Sequence, residues 1–112
     1  MKKAQVTYET VRSLGLTLPN VAEGTSYGTP ALKVNRKLFV RLHQDLDKIV
    51  LAMPFERREE LIAEDPETYF ITDHYRDYPW ILVSLAKVHP DALLDLLRIA
   101  HRTASPARKR RV

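Results

Sequence analysis

The residues ALKVNRKLFVRLHQDLDKIVLAM, positions 31–53, decide the fold. Leu32 and Val34 alternate with Lys33, Asn35-Arg36 supplies a turn, and Leu38, Val40 and Leu42 alternate with Lys37, Phe39, Arg41 and His43. A period of two is that of a strand with one buried face and one wet face. A second polar turn, Gln44-Asp45-Leu46-Asp47, leads into Lys48-Ile49-Val50-Leu51-Ala52. The stretch therefore predicts an antiparallel meander of three strands. Strict alternation turns Leu38, Val40 and Leu42 inward and leaves Lys33, Lys37, Phe39, Arg41 and Lys48 sharing the outer face.

Upstream, Ala4 to Leu14 reads as a helix, with Ala4, Tyr8, Val11 and Leu14 on one stripe and Gly15 as its C-cap. Between Leu18 and Pro30 the chain is rich in Gly and Pro, which predicts a short extended piece around Glu23 to Tyr27 and a tight bend at Gly28. A phosphate-binding Gly-rich loop is not expected there, because no Lys follows Gly28. Downstream, Pro54 starts a thinly apolar helix that ends at Asp65-Pro66. The stretch Tyr69 to Val83 then holds five of the nine aromatic residues, split by the polar insert Asp73-His74-Tyr75-Arg76-Asp77. It reads as a strand from Tyr69 to Thr72 and another from Trp80 to Leu85. His89-Pro90-Asp91 opens the last helix, whose core face is Leu93, Leu94, Leu97 and Ala100, widened by Leu96 and Ile99. The order α-β(3)-α-β(2)-α predicts an α+β two-layer sandwich with an antiparallel sheet.

A chain of 112 residues is one domain on size, read here as residues 1–104 followed by a basic tail at 105–112. The net charge of +4 is carried by the ends: six of the eighteen basic residues are Lys2, Lys3, Arg108, Lys109, Arg110 and Arg111, leaving twelve against fourteen acids. Without cysteine there is no disulfide and no thiolate metal site. No apolar run approaches the ~20 residues of a membrane span, and no apolar segment follows Met1-Lys2-Lys3, so a cytoplasmic location without a signal peptide is expected.

Several pieces in order carry a family likeness: Leu18-Pro19-Asn20-Val21, Glu23-Gly24-Thr25-Ser26-Tyr27-Gly28-Thr29-Pro30, Lys37-Leu38-Phe39, Asp65-Pro66-Glu67-Thr68-Tyr69-Phe70, Thr72-Asp73-His74-Tyr75 and Tyr78-Pro79-Trp80. From about residue 4 to 104 the chain resembles the MmcQ/YjbR family. The resemblance implies a small α+β sandwich grouped with secretion-chaperone-like or frataxin-like shapes. It also implies DNA binding of a double-wing type, and it carries no catalytic residue across.

Two candidate surfaces follow. The first is the basic strand face of Lys33, Arg36, Lys37, Arg41 and Lys48, with His43 and with Phe39 as a ring for an unpaired base; cations at phosphate spacing attract nucleic acid in a salt-sensitive way. The alternative is that these are ordinary solvent-facing strand charges. The second surface joins Glu23 and Tyr27 to Asp73, His74, Tyr75 and Arg76, which would line a pocket for a small polar ligand or form part of a protein-interaction module. Its alternative is a purely structural network of turn caps and core aromatics. His43, His74, His89 and His101 show no ligand spacing, so no metal or other cofactor is expected. Ser26, Ser84 and Ser105 lie in no nucleophile-elbow context. The expected function is a non-enzymatic binding protein, with DNA or another polyanion as the favoured partner and self-association left open.

Overall fold

The three-strand meander is present, with a fourth strand ahead of it. A computed structural model of the chain describes residues 6–105. Its elements are α1 (Tyr8–Gly15), β1 (Val21–Ser26), β2 (Thr29–Val34), β3 (Lys37–Leu42), β4 (Lys48–Ala52), α2 (Phe55–Glu64), β5 (Tyr69–Phe70), β6 (Trp80–Ser84) and α3 (Pro90–Ala104), with a 3-10 turn at Asp73–Tyr75. The strands form one six-stranded antiparallel sheet in the order β1-β2-β3-β4-β6-β5. The piece expected around Glu23 to Tyr27 is thus a full strand paired to β2, and the order becomes α-β(4)-α-β(2)-α. Ala4 and nearly all of the basic tail, from residue 106 on, lie outside the described residues.

Both hairpins at the start of the sheet close through two-residue turns with both central residues at positive φ, Tyr27-Gly28 (54° and 81°) and Asn35-Arg36 (49° and 74°). That geometry matches the twist of the strands it joins. Gly15 does not cap α1, as was expected, but ends it, with Leu16 as C-cap. A Cβ at Gly15 would meet Leu32 Cδ1 at 2.4 Å, so the residue is small because β2 passes close by.

α3 lies across β3 and β4 and packs against α1, burying Leu93, Leu96, Leu97 and Ala100. The sheet side of this core is Val40, Ile49, Leu51, Ile81 and Val83, which the cross-strand pairs place on one face. Phe39 belongs there too, contrary to the expectation from strict alternation. The register between β2 and β3 shifts between Leu32 and Lys33: Leu32 faces Val40, yet Lys33 faces Leu38. Phe39 is the extra residue of a β-bulge, and a bulge resets the side-chain phase. Phe39 is fully buried, edge-on to His101 of α3 at 5.6 Å between ring centroids. Leu38 is correspondingly turned to the other face, opposite Lys33. None of the described helices is long and apolar enough to cross a membrane.

Candidate functional site

The face of the sheet away from α1 and α3 is where the chain assembles something beyond a core. Cross-strand pairs put Ala31 with Arg41, Arg41 with Val50, Val50 with Leu82, and Ala52 with Trp80 on that face. The segment from Thr72 to Trp80 folds over it and leaves a pocket of about 620 Å³, within the range of small-molecule sites. Leu38 and Val50 make an apolar floor. Tyr27, His74, Tyr75, Tyr78 and Trp80 make an aromatic wall, and Arg41, His43, Gln44 and Thr72 are the polar members.

Arg41 is the unusual group. It is only 4% exposed, and none of the ion pairs among the described residues includes it. A buried cation without a counter-charge costs several kcal/mol of desolvation that neutral partners offset only in part. Here the neutral partners are four: Nη1 donates to Leu42 O at 3.2 Å, to Gln44 Oε1 at 3.3 Å and, at the long limit of 3.5 Å, to Thr29 Oγ1, while Nη2 donates to the Tyr75 hydroxyl at 3.2 Å. The guanidinium carbon also stands 4.9 Å from the centroid of the Tyr27 ring, a cation–π contact. A guanidinium has five N–H groups. Nε and one hydrogen of Nη2 have no acceptor among the described residues.

A second buried arginine holds the wall of the pocket in place. Arg58 of α2, 3% exposed, sends Nη1 to the carbonyls of Tyr75 (3.0 Å), Tyr78 (2.8 Å) and Trp80 (3.1 Å), and Nη2 to that of Arg76 (3.0 Å). Phe55 stacks under it at 4.9 Å. Tying four carbonyls of one short segment to a single side chain fixes its backbone. The aromatic side chains of that same segment are the ones that line the pocket.

Tyr27 occupies the turn between β1 and β2 at φ 54° and is 76% exposed. The left-handed region costs a non-glycine residue roughly 1–2 kcal/mol, and an exposed ring recovers little of that by burial. The turn itself requires that backbone, as it does at Arg36; what is particular to Tyr27 is an exposed ring beside a buried guanidinium. Elsewhere in the lining, His43 accepts a hydrogen bond at Nδ1 from the backbone N–H of Asp45 at 3.0 Å, which puts the hydrogen of the neutral ring on Nε2. Burial, with Lys48 and Arg41 nearby, holds its pKa below the usual histidine value against the opposing pull of Asp45 and Asp47.

The sequence model of the YjbR family matches residues 16–103. The chain belongs to the YjbR family. Among solved structures, the crystal structure of Deinococcus radiodurans protein DR2400, with the domain DUF419, is similar with a TM-score of 0.76 and 24% identity. That likeness covers 97% of this chain and 87% of the other, and it supports the fold. No curated protein matches the chain.

On this YjbR scaffold the two surfaces read from sequence fare differently. The basic strand face does not exist as one outward stripe. Phe39 is in the core, Arg41 is buried in the pocket, and Lys48 is bound by Asp45 at 3.0 Å and Asp47 at 2.7 Å. Arg36 and Lys37 stand exposed at the β2–β3 turn with Lys33 half-buried behind them. Of the pocket candidates, Tyr27, His74 and Tyr75 do come together, His74 edge-on to Tyr75 at 4.7 Å. Glu23 instead faces α1, where Arg12 grips both its oxygens at 2.9 and 3.0 Å and holds its carboxyl below the usual range. Asp73 and Arg76 pair with each other at 2.8 Å on the surface, outside the pocket lining. Sequence reasoning put Arg41 on the correct face of the sheet but as a solvent-facing charge, whereas it is buried there, and it assigned no role to Arg58. Among the described residues no cluster of three or more His, Asp or Glu could hold a metal ion.

Proposed function

We propose that this YjbR protein is a non-enzymatic binding module that takes a small organic anion into the pocket between the open face of β3–β4 and the segment Thr72–Trp80. The observation that carries this reading is the buried, carboxylate-free guanidinium of Arg41 in a pocket with an aromatic wall. A folded chain gains nothing by leaving such a charge uncompensated, whereas a site for an anion needs that charge in place beforehand. The exposed Tyr27 ring beside the guanidinium supports the same reading. The polyanion reading has less behind it: of its six residues only Lys33, Arg36 and Lys37 remain as a short basic turn.

A thermal-shift series with small organic anions tests the proposal. Anions that fit raise the melting temperature, and Arg41→Met removes the rise. A flat response across the series with folded protein overturns it. Fluorescence polarisation with labelled duplex and single-stranded DNA at ~50 mM salt provides the contrast, with little or no binding expected once the tail is deleted.

A further inference from the structure

Resting on the pocket reading above, we infer that the ligand is a small aromatic monocarboxylate, its carboxylate on Arg41 and its ring beside Tyr27 and Trp80. The first argument is charge. Arg41 is the one cation among the residues that line the pocket, since Lys48 outside it is claimed by Asp45 and Asp47. Burial and the nearby cations disfavour the charged form of His43. One positive charge balances a carboxylate; a phosphate monoester carries about −1.5 to −2 at neutral pH and would remain half compensated. The second argument is geometry. The two donors of Arg41 without described acceptors, Nε–H and one N–H of Nη2, belong to a planar group that can meet both oxygens of a carboxylate. The third is what is missing from the lining: no Asp or Glu is there, so the ammonium of a free amino acid would have no carboxylate to balance its charge. The fourth is the wall. Arg41 stands over one side of the Tyr27 ring, and the residue is nonetheless 76% exposed, so aromatic surface remains for a second ring to stack on.

Trp80 is the single tryptophan of the chain and lines the pocket, so its emission reports on this site alone. The test is to titrate the full chain with phenylacetate, phenylacetamide, phenyl phosphate and cyclohexylacetate, following Trp80 emission with the melting temperature as a second readout. Phenylacetate is expected to bind most tightly, with each of the other three weaker by about tenfold or more, the loss expected when one charge-assisted contact or one ring stack is removed. Arg41→Gln should abolish the carboxylate preference. Tyr27→Gly suits its turn better than tyrosine does, so it should keep the melting temperature and still weaken phenylacetate by about tenfold. Amide and acid binding alike, or cyclohexyl and phenyl binding alike, would overturn the inference. Tighter binding of phenyl phosphate would overturn it while leaving the anion pocket standing, and silence from all four probes would overturn both.

Discussion

Arg58 and Arg41 are both buried, both without a carboxylate, and both 4.9 Å from an aromatic ring, yet they are built for different ends. Arg58 spends its terminal nitrogens on four backbone carbonyls of one segment. Carbonyls cannot turn away, so that cation is locked to the fold. Arg41 leans on a glutamine, a threonine, a tyrosine hydroxyl and one carbonyl, and keeps donors in reserve. Side-chain partners can give way when a better acceptor arrives. Both leave a donor unused, Arg58 its sealed Nε–H, so burial and spare donors alone do not separate the two cations; the nature of the partners and the pocket that Arg41 lines do.

The comparison is broken most severely at Arg58. Arg58→Met should destabilise the protein by about 3 kcal/mol, because carbonyls folded around a cation lose their donor, and Arg58→Lys should recover little, having no fork to span four acceptors. Urea unfolding measures both. At Arg41 the same change should shift stability by no more than about 1 kcal/mol, since an apolar side chain of similar volume replaces an unpaired charge, while anion binding disappears. Equal losses at the two positions would mean that Arg41 is structural. Tyr27→Gly should move stability by less than about 0.5 kcal/mol, strain relief of about 1 kcal/mol offsetting the lost contact with Arg41. The smallest effect belongs to His43. Its folded-state pKa is depressed, so its contribution is fully present above the ordinary histidine value of about 6.5 and is lost as pH falls through the lower folded value. His43→Gln should flatten that part of the stability–pH curve. Anion binding should tighten as His43 takes up its proton, and His43→Gln should remove that part of the tightening.

Most of the fold was legible because its signals are local. The two-residue period of β2 to β4, Pro54 ahead of α2 and His89-Pro90 ahead of α3 each fix an element from within a few residues. β1 was not recognised as a full strand because Gly24, Thr25 and Ser26 give no alternation, and five of the six residues from Val21 to Ser26 face no core; its partner β2 defines it. The bulge at Phe39 is the costlier omission. A single extra residue inverts the facing of everything before it on the strand, and nothing in Lys37-Leu38-Phe39-Val40 announces it, since Phe39 and Val40 are both good strand residues. Three of the six residues proposed for the pocket, Tyr27, His74 and Tyr75, do line it; they were readable because turn chemistry and a polar insert between apolar strands mark surfaces. Arg41 and Arg58 were not, because a lone arginine on a strand or helix looks the same in sequence whether it is wet or buried.

The side-chain Nε–H resonances of the two arginines test the central claim directly. In a proton–nitrogen spectrum of the full chain, the Arg41 Nε–H should move on addition of phenylacetate, while the Arg58 Nε–H, sealed and without a partner, stays in place. An Arg41 signal unmoved at saturating acid would contradict the assignment of Arg41 as an anion receptor.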